Sequence, residues 1–340
     1  MLDARKKAIL FVAVQEYILT AEPVSSHRLV EKYQLGVSSA TVRNELAVLE
    51  DLGYLHQPHT SAGRIPTDIA YRFYVDSTAD KPGLTLKEEK AIVKLYSALN
   101  KEMEELLRET TSILSKLTNY IAVVMAPTFK SSRLKHIDLV SLSPKHMLMV
   151  LITDKGQVLK RTISVETHGV DVSGVEHLLN ERLQGLQPSE ISTVKDAIDL
   201  SDYKSAGFIH QLIDEIVDVM QSEDKERVFL GGTTSILGQP EFEDFRKVQS
   251  LLSSLEHGYR LLQWLEDSYR SDKVFVRIGS ENADQQIKDC SVIASTYHVD
   301  DEAFGTLGII GPTRMNYARA ISAVEFIAGN LTKALNDLRS

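Results

Sequence analysis

The sequence predicts an α+β chain of several domains, and three observations carry that reading. Residues 3–52 repeat apolar side chains at helical spacing, then give way to short runs broken by Gly, Pro and Ser, as helices followed by a hairpin would. Strand-like runs fill residues 121–165 and return from residue 273. Between them, residues 188–268 read as mainly helical. The 340 residues leave room for two or three domains of roughly 100–200 residues each.

The first helix is predicted over Asp3–Thr20, with Ile9, Leu10, Ala13, Val14, Tyr17 and Ile18 on one stripe. Glu22-Pro23 ends it, and Ser25 or Ser26 caps a second helix running to about Tyr33, with Leu29, Val30 and Tyr33 inward. A turn follows, with Gly36 where a left-handed residue fits. Ser38 or Ser39 caps a third helix that ends near Leu52-Gly53. Tyr54–Gln57 and Arg64-Ile65 read as strands around a tip at Pro58–Gly63, and Thr67–Ser77 as a connecting helix. Helix, short turn, helix and hairpin is the plan of a winged helix-turn-helix, assigned to residues 1–78.

A boundary is expected at Ala79-Asp-Lys-Pro-Gly83. Beyond it, Thr85 and Glu88 form a capping box that opens a helix to about Thr118, with an interruption near Asn100. Its apolar positions suit an inter-subunit helix or core packing equally. Strands are predicted at Ile121–Met125, Ile137–Leu142, His146–Thr153 and Gln157–Val165, with a hairpin turn at Asp154-Lys155-Gly156. Ser173 and Glu176 suggest a second capping box and a helix to about Leu183. Helices at Tyr203–Met220 and Glu243–Glu256 flank a strand at Arg227–Thr233. Strands at Val274–Ile278, Cys290–His298 and Ala303–Ile310 and a helix at Tyr317–Leu338 finish the chain. The expected organisation is a sheet domain in two parts, 84–187 and 269–340, interrupted by a helix-rich insert at 188–268.

Composition excludes several classes. With 43% apolar and 25% charged residues the chain is an ordinary globular one. The longest apolar stretches, Tyr120–Pro127 and Met147–Ile152, fall far short of the ~20 residues that span a bilayer. No apolar signal segment follows Met1, and a lone Cys290 precludes an intramolecular disulfide, so a cytoplasmic protein is expected. A net charge of −9 is a poor match for a nonspecific nucleic-acid coat, but a small basic surface can still read DNA.

The third helix carries the functional signal. At about 100° per residue, Val42, Leu46 and Leu49 face inward, while Ala40, Arg43, Asn44, Ala47 and Asp51 face outward and Ser39 lies between. Arg offers a bidentate fork to guanine and Asn pairs with adenine. Ala40 and Ala47 admit close approach to a groove floor. Ser38, Ser39 and Thr41 can donate to phosphates beside a helix N-terminus. The hairpin tip, with Ser61, Gly63 and Arg64, could lie along phosphates or place Arg64 in a minor groove. The same helical plan also serves domains that bind only protein.

Other constellations are weaker. Gly231-Gly232-Thr233-Thr234 lacks the lysine of a phosphate loop and reads as a turn. The glycines of 305–311 suit either strand packing or a small-molecule pocket. His56 and His59 lack the further ligands of a metal site, Cys290 reads as a buried thiol, and no catalytic spacing appears. No enzyme, metal or cofactor is expected.

Three runs then resemble the HrcA family of heat-inducible transcription repressors: Pro23-Val-Ser-Ser-His-Arg-Leu, Gly36-Val-Ser-Ser-Ala-Thr-Val-Arg-Asn-Glu-Leu, and His59-Thr-Ser-Ala-Gly-Arg-Ile-Pro-Thr. Phe229-Leu-Gly-Gly-Thr-Thr and Gly308-Ile-Ile-Gly-Pro-Thr-Arg-Met-Asn-Tyr extend the similarity over nearly the whole chain. Gly232-Thr-Thr-Ser departs slightly in residue choice. The resemblance implies negative regulation of class I heat-shock operons through an inverted-repeat operator, CIRCE. It also implies a winged-helix domain, a GAF-like sheet domain with a dimerising insert, and support of the active repressor by the chaperonin GroEL. An inverted repeat in turn calls for a two-fold homodimer. The alternative is a ligand-sensing regulator with a metabolite in the GAF-like domain.

Overall fold

In the computed structural model, which describes residues 2–59, 62–78, 83–98, 102–126, 132–154, 156–165, 169–194, 206–222, 228–242, 244–256, 274–299 and 302–339, the chain forms two units. One joins Met1–Met125 to Phe229–Leu338, and the other is Ala126–Val228.

The first unit begins with α1 (Ala4–Thr20), α2 (Ser26–Lys32) and α3 (Ser39–Asp51). Each start is fixed by a side-chain oxygen that accepts from a backbone N–H otherwise left without a partner. Asp3 accepts from Lys6, Ser25 from Arg28 and Ser38 from Thr41, so Ser25 and Ser38 are the caps rather than their neighbours. Ile9, Leu10, Ala13, Val14, Leu29, Val42, Leu46 and Leu49 are buried together. Burial of each large side chain among them contributes roughly 1.5–3 kcal/mol. The turn between α2 and α3 passes through Gly36 at φ +68°.

The strands β1 (Leu55–His56) and β2 (Ile65–Pro66) pair antiparallel, and α4 (Asp68–Thr78) follows. Val24 and Arg64 exchange backbone hydrogen bonds at 2.9 Å in both directions, adding the segment before α2 to the hairpin. Next come α5 (Leu86–Ala98), α6 (Met103–Thr118) and β3 (Ile121–Met125). The Thr85–Glu88 capping box forms, with each backbone N–H donating to the other's side chain. The expected interruption near Asn100 falls outside the described residues.

The second unit holds β4 (Leu134–Ser143), β5 (His146–Thr153) and β6 (Val158–Ser164), an antiparallel sheet of its own. Its helices are α7 (Val172–Leu183), α8 (Pro188–Val194) and α9 (Ala206–Ser222). Inward residues of the three strands, from Ile137 to Ile163, form one core with Leu179, Leu183, Ile191, Leu212 and Ile216 of the helices. Helix α7 also covers the free edge of β4: Asn180 Oδ1 accepts from Ile137 N at 2.9 Å and Glu176 Oε2 from Leu139 N at 2.8 Å. Glu176 is therefore not half of a capping box. Asp171 caps α7, accepting from Gly174 N at 3.1 Å.

The chain then returns to the first unit with β7 (Val228–Gly231), two short 3₁₀ turns at Thr233–Gly238 and Pro240–Phe242, and α10 (Phe245–Glu256). β8 (Phe275–Ile278), β9 (Cys290–Val299), β10 (Glu302–Pro312) and α11 (Tyr317–Arg339) complete it. The larger sheet runs β7-β3-β10-β9-β8, with the register Gly308↔Val123 and Gly308↔Ala294 at its centre. Buried Val324, Ile327 and Leu331 of α11 lie in its core, and Thr332 Oγ1 accepts from His298 N at 3.0 Å.

A sheet domain is thus interrupted by an insert, but the compact units divide elsewhere than expected. Strands β4–β6 do not extend the sheet of β3, and the insert-like unit is 126–228 instead of 188–268. β3 is buried at every position, whereas β5 alternates buried and half-buried residues and needs a helix layer on one face only. α7 and α9 supply that layer.

Candidate nucleic-acid interface

The orientation of α3 is set by charges the sequence pattern does not reveal. Glu45, one residue beyond Asn44, points toward α1, where it takes Arg5 Nε at 2.7 Å and Lys6 Nζ at 3.3 Å. Toward the other end of α1, the fully buried side chain of Glu16 is met by Arg28 Nε and Lys32 Nζ, both at 2.6 Å, and by Tyr33 OH at 2.9 Å. Burial pushes the Glu16 carboxyl upward. The hydrogen bonds from Lys32 and Tyr33, with the charge of Lys32 and the contact from Arg28, outweigh that and hold it below the usual carboxylate range. These contacts tie α2 and α3 to α1.

With those carboxylates turned inward and paired, the outer surface of α3 presents Ala40, Arg43 and Asn44 exposed, with Ala47 half-buried. Among the described residues neither Arg43 nor Asn44 has a hydrogen-bond or ion-pair partner. Asp51 is exposed at the far end of the helix.

The remaining expected contact residues are engaged within the fold. Ser38 Oγ caps α3 and lies 3.0 Å from Thr41 Oγ1. Ser39 Oγ is 3.1 Å from Ser26 Oγ, linking the starts of α2 and α3. Arg64, expected to reach a phosphate or a minor groove, instead donates from Nε to Glu50 Oε2 at 2.9 Å, with only 16% of its side chain exposed. Gly63 lies against the chain before α2: a Cβ there would stand 2.6 Å from the Val24 carbonyl oxygen. Its small size serves that close approach. Ser61 lies outside the described residues.

Glu16, Glu45 and Glu50 were not legible as partners. Glu16 stands three residues after Ala13 in the apolar stripe of α1, and a charged residue there was the one available signal.

Gly231 and Gly305, in the two other glycine-bearing runs, stand against neighbouring backbone. A Cβ at Gly231 would meet the Thr111 carbonyl at 2.7 Å, and one at Gly305 the Met125 carbonyl at 2.3 Å. Cys290 is buried. Among the described residues no His, Cys, Asp and Glu group could hold a metal, and no helix is long and apolar enough to cross a membrane.

Comparison with known proteins gives the class first: the relatives are transcription repressors. Residues 104–321 match the family described as HrcA protein C terminal domain. The heat-inducible transcription repressor HrcA of Pelotomaculum thermopropionicum is 39% identical over 337 residues, covering 98% of this chain and 97% of the relative. That of Carboxydothermus hydrogenoformans is 39% identical over 342 residues, covering 99% of each. A crystal structure described as that of a hypothetical protein superposes with a TM-score of 0.71 at 25% identity, covering 99% of this chain and 100% of that one. The chain belongs to the HrcA family of heat-inducible transcription repressors. It is a negative regulator of heat-shock genes and not an enzyme.

Proposed function

We propose that the chain acts in the cytoplasm as a homodimer, and that α1–α4 with the β1–β2 hairpin form a winged helix-turn-helix whose recognition helix is α3. Its target is the inverted-repeat CIRCE operator of chaperone operons. The observation that carries this reading is the outer surface of α3, where a guanidinium and a carboxamide without partners among the described residues stand beside two alanines while Glu45 and Glu50 are paired. Arg43 and Asn44 read bases, with Ala40 and Ala47 admitting the groove floor. The backbone at Ser38, Ser39 and Thr41 meets phosphate. Arg64 and Gly63 brace the wing, and the tip with Ser61 runs along the phosphates.

The five-stranded sheet with α6 and α11 is the GAF-like domain in this reading, and the unit 126–228 supplies the dimer contact. Among the described residues, the helices of that unit cover one face of its sheet and leave the other. Val140, Leu148, Val150, Ile152 and Val158 share it, with Asp138 and Lys160 paired on either side of Val150. Val140 and Val158 are 48% and 49% exposed, more than strand residues with a covered face. A second copy related by a two-fold axis would cover these residues and set Asp138 opposite Lys160. The chaperonin GroEL maintains the active form, and the repressor loses activity when unfolded clients occupy it. A loss of about 1–2 kcal/mol of stability suffices to change the active population several-fold. Operator binding by the purified protein is expected to decline on mild heating and recover with chaperonin; indifference to both contradicts this part.

The test of the central reading is a binding titration with the inverted repeat and a scrambled duplex. Arg43→Ala is expected to lose about 1–3 kcal/mol per half-site and to relax base preference there. Full retained affinity and selectivity contradicts the assignment.

A further inference from the structure

Two recognition helices select one half-site spacing only if each is held at a set angle to the body of its own protomer. In this chain the joint lies between α1 and α4, on one side, and the five-stranded-sheet domain, on the other. Arg314, in the loop between β10 and α11, sits at its centre with 13% of its side chain exposed. Its Nε donates to Glu241 Oε1 at 2.6 Å and its Nη2 to Glu241 Oε2 at 3.4 Å. Its Nη1 donates to the Ile18 carbonyl at 2.8 Å. Ile18 lies in the last turn of α1, where carbonyls lack intrahelical partners and the helix dipole favours a cation. One planar fork therefore grips the end of α1 and the 3₁₀ turn of the sheet domain at once.

Two further contacts bind α4 to the same domain. Arg72 donates from Nε to Glu281 Oε1 at 2.8 Å and from Nη2 to the Val276 carbonyl at 2.7 Å. Asp68 Oδ2 accepts from Ser280 N at 2.8 Å. Gly279 has φ +52°, and a Cβ there would stand 2.4 Å from the Asp68 carboxylate, so the approach requires glycine. Arg314 differs from Arg72 in what it holds. It grips α1, the helix that takes Glu45 of α3 through Arg5 and Lys6. A continuous run of contacts from the sheet domain through Arg314 and α1 to α3 thus sets the angle of the outer face of α3 to that domain.

We infer that Arg314 is a positioning residue that fixes the half-site spacing this repressor accepts, by locking the end of α1 to the sheet domain. The inference rests on α3 being the recognition helix. An operator with a longer or shorter spacer then forfeits the second half-site, because α3 does not turn against the sheet domain.

The experiment uses the full chain with a single half-site duplex and inverted repeats whose spacer is changed by one or two base pairs. The wild type is expected to bind the natural spacer best and to fall steeply on either side. Arg314→Ala should keep half-site affinity, lose about tenfold on the natural spacer, and show a flattened spacing profile, because freedom at the joint lowers the effective concentration of the second site. Arg314→Lys, which keeps the charge and loses the fork, should behave the same way, and the milder Glu241→Gln should show the flattening if Arg314→Ala folds poorly. Variants that retain the wild-type spacing profile overturn the inference and leave Arg314 a purely stabilising residue. Tighter binding of the natural operator by Arg314→Ala also overturns it, since the joint would then hold α3 away from its DNA-bound angle. A wild type that binds neither half-site nor repeat overturns the recognition-helix reading, and this inference with it.

Discussion

Glu16 shows how a single residue can organise a small domain. A carboxylate in the apolar stripe of a helix is costly unless it is paired and hydrogen-bonded, and here Arg28, Lys32 and Tyr33 converge on it. Glu16→Gln keeps the shape but removes the charge, leaving those donors a weaker acceptor. Because the cations reach solvent, a destabilisation of about 1–3 kcal/mol is expected, read by urea denaturation at neutral pH. The carboxyl lies below its ordinary value of 4.5 in the fold. Its stabilisation is therefore present above that pH and fades as pH falls through the lower folded value. Wild type and Glu16→Gln should converge in stability toward acid pH, and a constant gap contradicts the account. Residue-scale legibility was uneven for a physical reason. Arg43 and Asn44 follow from helical geometry, which is local. The partners of Glu45, Glu50 and Arg64 are set by tertiary approach across 14 to 40 residues, for which periodicity carries no signal.

At the scale of elements, the start of α3 combines two demands that substitutions can separate. The Ser38 hydroxyl caps the helix, and the same end of the helix faces phosphate in the proposed complex. Ser38→Ala should cost about 1 kcal/mol of stability. Ser38→Asp keeps a cap and the folded stability, but sets a negative charge toward the backbone. It should weaken binding to operator and scrambled duplex alike, a pattern seen by comparing thermal midpoints with titrations. Normal binding by the Asp variant would remove the start of α3 from the interface. Elements themselves were largely readable, since helices α1–α6 and strands β3–β10 match strong patterns. Their partners were not. The strands at 121–125 and 137–142 were expected in one sheet domain, yet β3 pairs with β10 and β7 while β4 pairs with β5. Ser173 and Glu176 have capping-box spacing, but Asp171 lies in the capping position and Glu176 serves the edge of β4.

At the scale of the whole molecule, symmetry is the organising idea. A two-fold repressor matches an inverted repeat, and the uncovered sheet face of the unit 126–228 is where the copies are proposed to meet. Val150 lies in its central strand, between Asp138 and Lys160. Val150→Asp should yield monomers by light scattering and reduce operator affinity toward that of a single half-site, with half-site binding unchanged. A dimer that survives this substitution places the contact elsewhere. The insert was legible as an interruption of a sheet domain, but its limits were not, because strands that pack on helices of the insert look in sequence like strands of the host.

Whether the outer face of α3 reads bases is decided by a base-by-base substitution of one operator half-site, titrated with wild type, Arg43→Ala and Asn44→Ala. Each variant should lose its discrimination at one short stretch of bases, guanine for Arg43 and adenine for Asn44, and keep the wild-type profile elsewhere. Profiles for both variants that parallel the wild type at every base would contradict base reading by α3.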